Sequence, residues 1–142
     1  MGEAKELLED EYDEHLKEKL LSRKEKETDK ARVGRHFVVA CFDMQAVFPV
    51  PKGDISIFYY KSKLNTMNLT VTELGNDSTY CYVWHEGEGG KGVTEVGSCI
   101  LQYLETIANK INNEDLEVVL YSDNCGGQQK NRYLFQVLIN FQ

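Results

Sequence analysis

The chain has no apolar run longer than the six residues from Phe37 to Phe42, far short of the roughly 20 that a membrane-crossing helix needs. Its first 35 positions are charged throughout and carry no apolar leader core, so an intracellular protein is the expectation. No C-x-x-C pair occurs: Cys41, Cys81, Cys99 and Cys125 lie far apart, and His15, His36 and His85 complete no zinc-ligand spacing. The cysteines read as small apolar residues in a reducing compartment, with Cys125, beside Asp123 in a turn, the one not taken as inert. Proline is scarce. Pro49 and Pro51 are the only two, and they mark residues 47–53 as an irregular loop.

Basic charge is also in deficit, at a formal net of −7 over 142 residues. Residues 1–35 hold 11 acids and 9 bases, and residues 36–142 hold 12 acids and 7 bases. The second part is thus net negative, which argues against a nucleic-acid module held by a broad basic face. It argues less against a metal-dependent nuclease-type site, whose carboxylates stay negative until cations bind.

What is present suits one domain with a real core, since 42% of the residues are hydrophobic. Residues 3–32 read as one long charged helix with Leu8, Tyr12, Leu16 and Leu20 at i+4 spacing. That stripe is narrow. It fits a solvated helical arm or linker over residues 1–35, and leaves open a coiled-coil or DNA-contacting arm. Residues 37–43 are apolar on both faces of an extended strand, which predicts a central strand ending in Asp43. Residues 55–64 fit a strand and a helical face equally well. Residues 66–74 and 78–84 predict a hairpin around Gly75-Asn76-Asp77. The glycine loop EGEGGKG at 86–92 lacks the residues of a phosphate loop at both ends. A helix over residues 93–111 follows, with Val96, Ile100, Tyr103, Leu104, Ile107 and Ile111 facing the core.

The stretch LEVVLYSDNCGGQQ, residues 116–129, then gives a buried strand that ends in Asp123 at a Gly-Gly turn. An acid at the carboxyl end of such a strand faces the crevice where α/β sheets place ligands and metals. Asp43 repeats the arrangement, so both are site candidates; an acid satisfied by backbone N–H groups at a strand end is the alternative for Asp43. A last helix from about Gln129 presents Leu134, Val137, Leu138 and Phe141 on one face and stops at Gln142 without a cap, so the domain is read as C-terminally truncated. Glu95, in the first turn of the helix over 93–111, suits either a further site carboxylate or a helix N-terminus favoured by the dipole. If the Asp123 strand pairs parallel with the Asp43 strand, both acids emerge at one sheet end, about 4.8 Å apart. Two hard oxygen ligands so placed suit Mg²⁺ or Mn²⁺.

With these elements in order, the motifs FDMQAVFPVPK, YYKSKL, YVWHEGEGGKGVTEVGSCIL and YSDNCGGQQKNR resemble a transposase-derived family dispersed through animal genomes, with FDLQ-type and YSD-CGGQ-type motifs. The likeness runs from about residue 36 to the C-terminus. It implies an α/β, ribonuclease-H-like mixed sheet with flanking helices, preceded by the charged N-terminal helix, with residues 36–142 forming a partial DDE/D transposase-type domain. It further implies Asp43 and Asp123 as catalytic metal ligands for Mg²⁺ or Mn²⁺, Glu95 as a helper or substitute carboxylate, and a third acid beyond Gln142. DNA is the implied partner, in the nucleus, with weak or no cleavage by this chain alone; a homo-oligomer through the N-terminal helix is a separate expectation, from its coiled-coil reading. The implied chemistry is two-metal phosphoryl transfer, in which Asp43 bridges the ions and Asp123 binds one. The alternative is a non-catalytic descendant that serves as a nucleic-acid or protein interaction module. A plain ribonuclease H, with Glu95 essential, is a third reading.

Overall fold

In the computed structural model residues 2–112 and 115–122 are described, with the side chains of the first helix described from Tyr12 on. The elements in chain order are α1 (Gly2–Arg32), β1 (Phe37–Met44), β2 (Phe48–Val50), α2 (Ser56–Tyr60), β3 (Leu64–Glu73), β4 (Thr79–His85), α3 (Val93–Ile111) and β5 (Glu117–Ser122). They make a mixed α/β fold in which a five-stranded sheet is flanked by helices.

The ten-residue β3 organises the sheet. β4 pairs antiparallel with it along one edge, while β1 and the three-residue β2 share the other. β1 therefore lies between β3 and β5, as its apolar faces predict. α3 carries the chain across the sheet so that β5 runs parallel to β1, in the register Phe37↔Glu117 through Phe42↔Ser122. A parallel neighbour requires such a crossover, and the 19 residues of α3 supply it.

α3 forms where the apolar spacing places it. Its buried stripe of Val96, Ile100, Tyr103, Leu104 and Ile107 packs on Val38, Ala40 and Phe42 of β1 and on Leu69 and Val71 of β3. Each such side chain contributes about 1.5–3 kcal/mol on burial. The helix ends at Asn112, whose left-handed backbone (φ 48°) lets its N–H donate to the Ala108 carbonyl at 2.8 Å. The β3–β4 turn uses positive φ at Gly75 (118°) and Asp77 (56°), the residue types expected there.

Two segments differ from the sequence expectation or resolve it. Residues 48–50 are not irregular: β2 pairs with β3 through Phe48↔Thr66 and Val50↔Leu64. Pro49 is tolerated because β2 is an edge strand, where a missing N–H can face outward. The ambiguous residues 55–64 divide, giving one helical turn and a half at Ser56–Tyr60 and then the start of β3 at Leu64. The last helix expected from Gln129 lies outside the described residues.

α1 spans 31 residues, and its C-terminal turns dock on the sheet instead of standing free in solvent. The Tyr121 hydroxyl donates to Asp29 Oδ2 at 2.7 Å, Arg32 stacks over the Phe37 ring at 4.1 Å, and Arg32 lies 3.9 Å from Glu117. Phe37, Glu117 and Tyr121 alternate with the core-facing residues of β1 and β5. α1 therefore docks on the sheet face opposite α3. Farther from this junction Tyr12, Leu16 and Leu20 are exposed, so among the described residues the narrow stripe covers no core. No described helix is long and apolar enough to cross a membrane.

Candidate functional site

Asp43 stands where the sequence places it, next to last in β1 and exposed to solvent. Phe42 before it and Met44 after it join the cluster under α3, so the pleat sends Asp43 to the opposite side, the face on which the end of α1 docks. Its partner across the β1–β3 ladder is Thr70. Cross-strand partners of this kind hold their Cβ atoms about 4.5–5.5 Å apart on one face.

Around Thr70 a small polar group assembles on that same face. Gln45 follows β1 and continues the ladder, its N–H donating to the Asn68 carbonyl at 2.9 Å. The Gln45 Nε2 donates to Thr70 Oγ1 at 3.2 Å, and Asn68 Nδ2 donates to the same oxygen at 3.4 Å. Asn68 Oδ1 is buried with no hydrogen-bond partner among the described residues. In sequence Asn68-Leu69-Thr70 reads only as a chance match to a glycosylation sequon, and Gln45 carries no signal; the ladder register alone brings the three beside Asp43.

Glu95 takes the structural alternative. It is the third residue of α3, and its Oε1 accepts from the Gly90 N–H at 2.8 Å while Oε2 accepts from the Gly92 N–H at 3.1 Å. This is half of a capping box, since Gly92 at the N-cap has no side chain to return the bond. Those N–H groups, Gly90's first and then those of Glu95 itself and Gly92, hold the carboxyl below the usual carboxylate range. Both oxygens are thus engaged in ending the glycine loop and starting the helix. Trp84 fixes the same loop from β4, its Nε1–H donating to the Gly90 carbonyl at 2.8 Å.

Asp123 and Cys125 lie outside the described residues. The described part of their strand ends at Ser122, paired with Phe42. Among the described residues no three His, Cys, Asp or Glu side chains come together as a metal-holding group. Cys41, Cys81 and Cys99 are free thiols. Burial, together with the nearby Glu95 charge, pushes the Cys99 thiol up and keeps it protonated, as expected of a small apolar residue.

A buried acid that sequence reading passed over is Glu73, at 3% exposure near the opposite end of the β1–β3 pairing. It accepts from Asn76 Nδ2 and from the Tyr103 hydroxyl at 3.4 Å, and burial, then the Glu73 charge, drive that hydroxyl well above its ordinary value. These bonds make Glu73 a core acid that ties α3 to the β3–β4 turn. No protein-family model, curated protein or solved structure matches this chain.

Proposed function

We propose that residues 36–142 form part of a ribonuclease-H-like domain of the DDE/D transposase type, built for metal-dependent phosphoryl transfer on DNA. The observation that carries this reading is the parallel β1–β5 register. Its last described pair is Phe42↔Ser122, and the residues that follow in the two segments are Asp43 and Asp123. The strand order supports it too: an antiparallel β4–β3–β1 group is followed by a helical crossover to a strand parallel to β1.

In this reading Asp43 and Asp123 hold Mg²⁺ or Mn²⁺ through hard carboxylate oxygens at one rim of the sheet. The exposed carboxyl of Asp43, set on a rigid central strand, fits that task. The cation supplies charge neutralisation at a phosphate and activation of water or a 3′-hydroxyl. Asp43 would orient the cation from the strand end. Glu95 is assigned to capping, because ligation would strip two backbone N–H groups of their acceptor. A DNA substrate places the protein in the nucleus.

The second reading is a non-catalytic interaction module. The excess of acids in residues 36–142 favours it. Titration of the chain with MgCl₂ and MnCl₂ by calorimetry separates the two. The catalytic reading expects binding that Asp43→Ala and Asp123→Ala each abolish. No binding, or binding that both substitutions leave unchanged, removes it.

A further inference from the structure

We propose that the outer edge of β4 is a self-association surface, on which a second copy of this chain pairs antiparallel about a twofold axis at Cys81. Among the described residues β4 pairs with β3 alone, and in the run β4–β3–β1–β5 the chain leaves the sheet at the opposite edge. The outer edge of β4 lacks the usual protection. Residues 79–85 contain no lysine, no proline and no bulge, whereas β2 is three residues long with Pro49 at its centre.

The ladder decides which backbone groups face outward. The Glu73 N–H donates to the Ser78 carbonyl at 2.8 Å and the Glu86 N–H to the Asn65 carbonyl at 2.9 Å, both in step with the register Thr66↔His85 through Thr72↔Thr79. Hydrogen-bonded pairs alternate along an antiparallel ladder, so Tyr80, Tyr82 and Trp84 turn their N–H and C=O groups to β3. Thr79, Cys81, Val83 and His85 turn theirs outward. His85 is already closed: its N–H donates to Glu88 Oε2 at 3.0 Å, and its carbonyl accepts from the Glu88 and Gly89 N–H groups at 2.8 and 3.3 Å. Among the described residues the open groups are thus those of Thr79, Cys81 and Val83.

A second β4 matches that set in one register. With Cys81 opposite its own copy and Thr79 opposite Val83, every open N–H and C=O of both strands is engaged. Neither neighbouring register achieves this. Setting Cys81 against Val83 leaves Thr79 facing the closed His85, and the opposite shift sets Val83 against Asp77, in the turn at φ 56°. In the favoured register Tyr80 meets the Tyr82 of the other copy as an aromatic cross-strand pair. A groove of about 500 Å³ between β4 and α3, lined by Tyr82, Trp84, Cys99 and Gln102 among others, lies alongside to receive it. On the other face Cys81 and Val83 are exposed, and no charge falls between Thr79 and Trp84 to repel a copy.

The test is sedimentation velocity of the full chain over a concentration series reaching roughly 100 µM, with a thermal melt for the fold. Wild type should dimerise within that range. Val83→Pro removes an N–H that β3 does not use, an exchange an edge strand tolerates, and should weaken the dimer about thirtyfold, the equivalent of two hydrogen bonds. Cys81→Lys sets like charges opposite each other on the twofold and should weaken it about fivefold. A short bismaleimide should also join two wild-type chains, and Cys81→Ser should abolish that product, since Cα atoms so paired lie about 5.5 Å apart. A chain that stays monomeric throughout the series overturns the proposal. A dimer that both β4 variants leave unchanged overturns it too, and its loss in Leu16→Lys alone would place the association on α1.

Discussion

At the scale of single residues, the same side-chain type plays three parts set by place. Asp43 is exposed at the end of a central strand, Glu95 spends both oxygens on backbone N–H groups, and Glu73 is sunk in the core on Asn76 and Tyr103. Glu95 shows why sequence alone left its role open: a first-turn glutamate looks alike whether it caps or ligates, and only the fold of the glycine loop decides. The capping role has a pH signature. A carboxyl held below its unfolded value contributes stability that is fully present above the unfolded pKa, near 4.3, and lost as pH falls through the folded value. Glu95→Gln should therefore lower stability by roughly 0.5–1 kcal/mol at pH 7, the modest size of an exposed cap. The gap to wild type should close below about pH 4 in thermal melts. A gap independent of pH would contradict the assignment. Gly75 is a second residue-scale case. It combines φ of 118° with an ideal Cβ position only 2.8 Å from Val33 Cγ1, so Gly75→Ala should cost roughly 1–3 kcal/mol in chemical denaturation, whereas an unchanged midpoint would mean the turn relaxes freely.

At the scale of elements, legibility tracked how local the cause was. α3 spans the residues its apolar stripe marks out, because a run of 19 residues at helical spacing needs no distant partner to declare itself. β2 was misread because proline excludes a strand interior but not an edge, and edge status depends on the rest of the sheet. The docking of α1 was invisible for a similar reason. Its contacts all involve charged side chains, and one joins residues 92 positions apart, Asp29 and Tyr121, so no periodicity records them. This latch predicts an alkaline response. Burial first, then the bond to Asp29 and the charges of Asp29 and Glu25, push the Tyr121 hydroxyl up to about 12. A raised folded value means the stabilisation is complete below the unfolded pKa near 10 and is lost as pH climbs through about 12. Tyr121→Phe should remove the latch at neutral pH. Amide hydrogen exchange over residues 22–32 should then quicken about five- to tenfold, the equivalent of one hydrogen bond. Unchanged exchange there would show that Arg32 on Phe37 holds the helix alone.

At the scale of the whole molecule, the sheet converts chain order into adjacency. β1 and β5 are separated by β2, α2, the β3–β4 hairpin, a glycine loop and α3, yet they pair in a register whose last described pair is Phe42 and Ser122. The sequence showed two strands each closing on an aspartate, and the requirement for a crossover made their parallel pairing the natural expectation. It could not show which neighbour β5 would choose, since that depends on which sheet edge β1 leaves open once β3 has taken the other. The proposed sharing of a cation by Asp43 and Asp123 is what gives this rim its function. Its most direct test is a crystal structure of the chain grown with MnCl₂, read through the anomalous difference map. A shared site should give a manganese peak within about 2–2.5 Å of a carboxylate oxygen from each aspartate. Well-ordered Asp43 and Asp123 side chains directed away from one another, with no peak between them, would contradict it.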